Sequence, residues 1–308
     1  MKTETKGENI PNIVIPTIRS KEHFETFLKA WEEEFIGCHI IIIEDRTNKQ
    51  LNELMSKYVD NFTIYDHKDI DKDLGENSWI IPRKTDCVRS YGYYKAWQNK
   101  PLFIVTLDDD VEPQLKHIET FYKKLFLEEY NDDRFYNTLK SNLPRGTYKG
   151  QTGCDVVHGG WTNVPDLSAE EQIKNMFTST SEDFNTGLIP TNIYFSMCGM
   201  NLAWKPHVTK DIYFGLQGGE YPIDRCGDIW AGYNITKRGY SVYTGYPFCK
   251  HTRASNVWSN LKKEGNAERM SKYCMDFFPV IPDGMDVFLI PYWSKLKEAY
   301  KIWEELFK

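Results

Sequence analysis

Three consecutive aspartates, Asp108, Asp109 and Asp110, follow the apolar run FIVTL at 103–107. Adjacent carboxylates repel one another, and no lysine or arginine lies close by in the sequence to neutralise them. A divalent cation would relieve that repulsion. Hard oxygen donors suit Mg2+ or Mn2+, and such a cation would in turn hold a diphosphate. The bland alternative is a solvated turn after a strand. A further rival takes Asp108 and Asp110 as the paired aspartates of a phosphatase loop, but such a loop needs Thr or Ser shortly afterwards, and this chain continues with Val111, Glu112 and Pro113. If the strand runs on through the triplet, the side chain of Asp109 points away from the other two.

The triplet matters only if the fold sets it at an edge where ligands bind. Upstream, IVIPTI at 13–18 is a short apolar run, and Phe24, Phe27, Leu28, Trp31 and Phe35 then recur at helical spacing. Ser20 is the expected N-cap of that helix and Gly37 its expected stop. HIIIIE at 39–44 reads as a strand buried on both faces. A helix over 49–58, a strand over 62–65 and a helix over 85–98 precede FIVTL. This alternation predicts an α/β fold with a mostly parallel sheet flanked by helices, in which ligands bind at the carboxyl ends of the strands. After Asp110 a helix is expected over 116–129. Residues 131–190 are rich in Gly, Asn, Asp and Thr and read as functional loops. At the end of the chain Trp293, Leu296, Tyr300, Trp303 and Phe307 share one helical face. That face predicts a C-terminal helical extension, 266–308, docked on the main domain, 1–265, or on a sister subunit in a homo-oligomer.

With 308 residues, 41% of them hydrophobic and 15% aromatic, the chain can bury a large core. A net charge of -6 without a clustered basic face argues against nucleic acid as a partner. The seven cysteines show no CxxC spacing and fit reduced thiols better than disulfides or zinc. A polar N-terminal segment and the lack of any stretch long enough for a membrane span lead us to expect a cytoplasmic protein.

Seven strings occur in a telling order: IVIPTIR at 13–19, TLDDD at 106–110, HGGWTNVPD at 158–166, MCGMNLAW at 197–204, YFGLQG at 213–218, DIWAGY at 228–233 and HTRASNVWSNLKKE at 251–264. Together they resemble the reversibly glycosylated polypeptide family, whose plant members are UDP-arabinopyranose mutases. The resemblance spans residues 12–265. It implies a GT-A-like nucleotide-sugar-binding fold, a divalent metal (Mn2+ or Mg2+) and no flavin. It also implies interconversion of the pyranose and furanose forms of a UDP- or dTDP-linked sugar. The alternatives are a glycosyltransferase with a separate acceptor and a non-catalytic subunit of a mutase complex.

In that frame Asp108 and Asp110 hold the metal, with Asp108 leaning toward the ribose, and His251 is the remaining metal or diphosphate ligand. Asp109 joins the substrate-binding set without a defined task. Arg145, in NLPRGTYKGQ, matches the first arginine of the family's Arg-Gly pair and is either the covalent acceptor of the sugar or a donor to the diphosphate. The second arginine of plant sequences is unmatched, with Lys149 the nearest basic residue. Asp228 is either a helix N-cap or a carboxylate facing the sugar. His158, Trp161 and Asp166 read as a sugar-facing loop, against the plainer reading of a buried aromatic anchor. Arg19 would meet the nucleotide, Asp69 the pyrimidine base, and Arg83, Lys84 and Arg89 the diphosphate. Lys262, with Lys263, would neutralise phosphate unless the pair is only a solvated helix face.

Overall fold

Alternation within the first strands divides the core into two halves. The computed structural model describes residues 6–127, 129–130, 151–164, 166–174, 185–190, 193–252, 256–274, 285 and 287–308. In β1 (Asn12–Thr17), Ile13 and Ile15 face one side and Val14 the other. Next, α1 (Lys21–Trp31) packs Phe24, Phe27, Leu28 and Trp31 onto the first side. Ser20 takes the N-cap position, but its hydroxyl meets the His23 ring at 2.9 Å instead of the helix backbone. Gly37 then turns the chain with a left-handed φ of 77°. In β2 (His39–Glu44) all four isoleucines are fully buried, Ile40 and Ile42 on the first side and Ile41 and Ile43 on the second.

The chain continues through α2 (Asn52–Tyr58), β3 (Phe62–Tyr65) and α3 (His67–Leu74) to α4 (Val88–Gln98) and β4 (Ile104–Leu107). Strands β1 to β4 pair in parallel, with Asn12 opposite both His39 and Ile104. Their carboxyl ends therefore share one edge. Helix α4 is buried along most of its length, because Gly92 lets it press onto β1: a Cβ there would sit 2.4 Å from Val14 Cγ1. That close approach sets Arg89, in its first turn, beneath the end of β4.

The second half is less regular. It comprises β5 (Val111–Glu112), α5 (His117–Tyr122), a small hairpin of β6 (Glu129–Tyr130) and β7 (Gln151–Thr152), β8 (Val156–Asn163), α6 (Ala169–Lys174), β9 (Gly187–Leu188), β10 (Asn201–Trp204), α7 (Gly227–Lys237), β11 (Val242–His251), α8 (Val257–Cys274) and α9 (Ile290–Glu305). The helix expected over 116–129 is α-helical only to Tyr122 and continues as a π turn over Lys123–Leu127. Among the described residues the main sheet runs β3-β2-β1-β4-β10-β8-β11-β5, with β9 on β11. Strand β10 lies antiparallel between β4 and β8, so the sheet is mixed at its centre and parallel on its first side.

The aromatic face of α9 is spent inside its own chain. Trp293, Leu296, Tyr300 and Trp303 join the second half of the core. Trp303 stacks on Tyr213 at 5.1 Å and donates its indole N–H to the Lys210 carbonyl. The boundary expected between residues 265 and 266 falls inside α8. No helix among the described residues is long and apolar enough to cross a membrane.

Candidate active site

The acidic triplet sits just past β4, where the carboxyl ends of β1, β2 and β4 meet. The strand stops at Leu107, and Asp109 and Asp110 form a turn. Two bonds anchor this turn from the far side: both the backbone N–H and the hydroxyl of Thr252 donate to the Asp110 carbonyl, at 2.9 and 2.8 Å. Because β5 pairs with the end of β11, placing Val111 opposite His251, the histidine is delivered to Asp110.

Arginines remote in sequence answer the triplet's repulsion. Arg19 bridges Asp109 and Asp110, with Nη2 2.6 Å from Asp110 Oδ2. Arg89, 4% exposed, donates to Asp108 Oδ1 at 2.6 Å and to the Gly199 carbonyl at 2.8 Å. The premise that the triplet lacks basic neighbours therefore holds in the sequence but not in the fold. The expected divergence of Asp109 also fails in part, since the turn lets Asp109 and Asp110 grip the same guanidinium. Asp109 additionally accepts from the Thr17 hydroxyl at 2.6 Å.

Two adjoining cavities open on this edge. The first, about 370 Å³, is lined by Thr17, Ile18, Arg19, Asp45, Lys84, Thr85, Asn260 and Lys263 beside the triplet. The second, about 270 Å³, contains Asp166, Phe214, Asp228, His251 and Asn256. Asp86, Arg89, Asp108, Asp110 and Arg225 line both. A two-part ligand whose charged middle sits at this shared wall matches the shape.

The chemistry of the wall fits a divalent cation. The His251 Nδ1 lies 3.1 Å from the Val164 carbonyl, which turns Nε2 toward Asp110 Oδ1 at 3.9 Å. Burial and the adjacent Asp108 push the Asp110 carboxyl up to about 6, against the pull of His251 and Arg19. Among the described residues no three His, Cys, Asp or Glu side chains converge as a complete ligand set. Asp110 and His251, with Asp108 close by, could hold part of a shell that substrate phosphates and water would complete.

Asp228 lies one residue into α7 beyond the first helical position; the N-cap is Cys226. Its carboxylate accepts from the backbone N–H of Gly199 at 3.2 Å and of Ile229 at 2.9 Å. Desolvation in the cavity, with Asp86 and Asp166 nearby, pushes it up to about 7. Asp166 lines the same cavity and accepts a hydrogen bond from the Cys198 thiol at 3.1 Å.

Several expected residues lie elsewhere. His158 is buried: Nε2 accepts from the Cys198 N–H at 3.1 Å, Nδ1 faces the Thr244 hydroxyl at 3.2 Å, and burial lowers its pKa to about 4. It is a core histidine, and Trp161 packs edge-on beside it against the first half of the core. The plainer reading of this pair prevails because the motif lies on central strand β8 and not on a loop. Asp69 closes a capping box at the start of α3, accepting from the Asp66 N–H at 2.9 Å, and pairs with Lys49. Arg83 pairs with Asp71 and lines neither cavity. Lys262 is exposed and lines neither cavity, whereas Lys263 reaches the first one and pairs with Asp224 at 2.8 Å. Arg145 and Lys149 lie outside the described residues. Asp69→Ala should cost about 1 kcal/mol in denaturant unfolding, the usual value for a lost cap contact, and leave nucleotide affinity unchanged.

Sequence reasoning missed Asp45, Asp86, Asn256, Asn260 and Arg225. Asp45 alone carried a readable signal, since it follows the strand HIIIIE directly; it sits in the first cavity and holds the His67 ring at 2.6 Å. Arg225 reaches the shared wall from the loop before α7, held by Glu264 of α8 at 2.9 Å.

An α/β sheet of this order, with acidic residues closing its fourth strand, defines a GT-A fold. Solved structures agree. Glucosyl-3-phosphoglycerate synthase from Mycobacterium tuberculosis, in complex with Mg2+ and uridine diphosphate, superposes with a TM-score of 0.51 at 11% identity, covering 90% of this chain and 81% of that one. Residues 1–349 of S. aureus TarS give 0.50 at 10% identity, covering 94% and 80%. Residues 6–284 match the reversibly glycosylated polypeptide family, and the chain belongs to it. Among curated relatives, UDP-arabinopyranose mutase 3 of Arabidopsis thaliana is 31% identical over 87% of this chain and 77% of its own length. Probable UDP-arabinopyranose mutase 2 of Solanum tuberosum is 33% identical over 82% and 72%.

Proposed function

We propose that the protein is a nucleotide-sugar mutase that interconverts the pyranose and furanose forms of a UDP-linked sugar such as arabinose. The observation carrying this reading is the pair of cavities sharing one charged wall, in a chain whose curated relatives are named UDP-arabinopyranose mutases. The nucleoside occupies the first cavity, beside Thr17, Ile18 and Asp45. The diphosphate lies at the wall, within reach of Arg19, Lys84, Arg225 and Lys263, and the sugar enters the second cavity. Asp110 and His251, with Asp108, would hold a divalent cation, whose positive charge would stabilise a departing diphosphate.

Ring contraction needs two bond exchanges at the anomeric carbon. The sugar's O4 attacks C1 as the bond from C1 to the diphosphate breaks, and O4 gives up its proton. The diphosphate then returns to C1 as the bond from C1 to O5 breaks, and O5 takes up a proton. No proton is gained or lost overall. Asp228 suits both transfers, because a group that titrates near neutrality accepts and returns a proton with little bias. Holding the diphosphate at the wall between the steps keeps it next to C1 and favours recombination over loss.

With UDP-arabinopyranose and Mn2+ the purified protein should form UDP-arabinofuranose, and a chelator should stop it. Release of free arabinose without any furanose nucleotide would move the assignment to a transferase lacking its acceptor. Since proton acceptance needs the ionised carboxylate, kcat/KM should rise as pH rises through about 7 and level off above it. Asp86, Asp166 and the Cys198 thiol face the same carboxylate and contribute to where the limb falls. In Asp228→Asn the limb should vanish; its persistence would assign the proton transfer to another group.

A further inference from the structure

The second cavity offers a sugar more carboxylates than basic groups, with the Asn256 amide and the remaining Arg225 N–H groups as donors. Three carboxylates face it beyond the triplet: Asp86, Asp166 and Asp228. The basic groups there are largely committed elsewhere. Arg89 is held by Asp108 and the Gly199 carbonyl, and Arg225 gives Nη1 to Glu264. His251 directs its Nδ1 at Val164, and the Gly199 N–H is taken by Asp228. The remaining wall includes Phe214 and Met200, which are apolar. Carboxylates in such a setting are satisfied by hydroxyl donors, while a second carboxylate brought among them adds only acceptors and like charge.

Resting on the nucleotide-sugar reading above, we propose that this cavity restricts the substrate to nucleotide-linked neutral sugars and rejects uronic acids, with Asp166 and Asp228 as the residues that discriminate. Substrates carrying only hydroxyls hydrogen-bond to these carboxylates. A C6 carboxylate is repelled by Asp166 and, in its ionised form, by Asp228.

UDP-arabinopyranose, UDP-galactose and UDP-galacturonic acid form a suitable series, since the first lacks C6 and the other two differ only in its oxidation state. Their binding to the full chain with Mn2+ should be compared by calorimetry, with UDP as reference. UDP-galacturonic acid should bind at least about tenfold more weakly than UDP-galactose. Asp166→Asn, which keeps the shape but removes the charge, should narrow that ratio by about threefold or more while leaving UDP affinity unchanged, the latter also reporting an intact fold. Equal binding of the two hexose nucleotides would overturn the proposal, as would a ratio unmoved by both Asp166→Asn and Asp228→Asn. Equal rejection of both hexoses beside firm binding of UDP-arabinopyranose would put the exclusion on size and overturn the charge account. If neither UDP nor any UDP-sugar bound, the nucleotide-sugar reading would fall with it.

Discussion

Asp110→Ala should lower turnover by about 10²–10³-fold, the usual loss when one group stabilising a departing charge is removed. The same change should uncouple nucleotide affinity from divalent cation. Asp110 holds three positions at the shared wall: Oδ2 meets Arg19, Oδ1 faces His251, and its backbone carbonyl takes both Thr252 donors. Alanine keeps the backbone bonds, so the turn stays anchored to the end of β11. One carboxylate fewer also eases the repulsion within the triplet. Thermal stability should therefore stay close to that of the parent while Mn2+ no longer strengthens UDP binding. Unchanged metal dependence in this variant would remove Asp110 from the metal site.

A second large effect is expected on stability. Arg89→Ala should destabilise the fold by about 3 kcal/mol, at the lower end of the range for breaking a buried ion pair. The guanidinium side chain is 5% exposed, lies over the Phe214 ring at 5.4 Å and bonds both Asp108 and the Gly199 carbonyl. Its removal leaves a cavity, an unpaired carbonyl and an uncompensated carboxylate. Because Asp108 keeps 29% of its side-chain exposure, water recovers part of the loss, which places the estimate low in the range. Denaturant unfolding of Arg89→Ala and of Asp108→Asn checks this. The asparagine variant retains a neutral acceptor for Arg89 and should cost distinctly less. Equal costs would mean that packing against Phe214, and not the charge pair, sets the loss.

The first half of the fold was legible because each of its strands lies in a sheet with helices on both faces. Such burial writes itself as uninterrupted β-branched runs, HIIIIE above all, and the run FIVTL led directly to the triplet. Strands β8, β10 and β11 could not be read in the same way. They carry glycines and polar residues such as Gly159, against the Asn201 amide, Gly245, against the Thr186 side chain, and Asn201, which bonds backbone carbonyls, and these answer to close neighbours and not to periodicity. The candidate site was legible where chemistry and strand ends coincide, as at Arg19, Asp108 and Asp110, which line one cavity. It was illegible where long-range packing decides. Arg89 was expected to meet the diphosphate, but its grip on Asp108 depends on Gly92 admitting α4 against β1, and Arg225 is held in place by Glu264 of another helix. Conversely, the motif string containing His158 and Trp161 suggested a sugar contact, yet both side chains serve the sheet interior.

The central event of the proposed reaction is cleavage of the bond between C1 and the diphosphate followed by recombination inside the same site. Positional isotope exchange measures it directly. UDP-arabinopyranose labelled with 18O at the oxygen joining C1 to phosphorus is incubated with the protein and Mn2+, and 31P NMR follows the label. The label should spread from the bridging to the non-bridging positions of the β-phosphate while UDP-arabinofuranose appears and free UDP stays low. A label that remains wholly in the bridge through repeated interconversion of pyranose and furanose would contradict cleavage with a β-phosphate free to turn before it recombines.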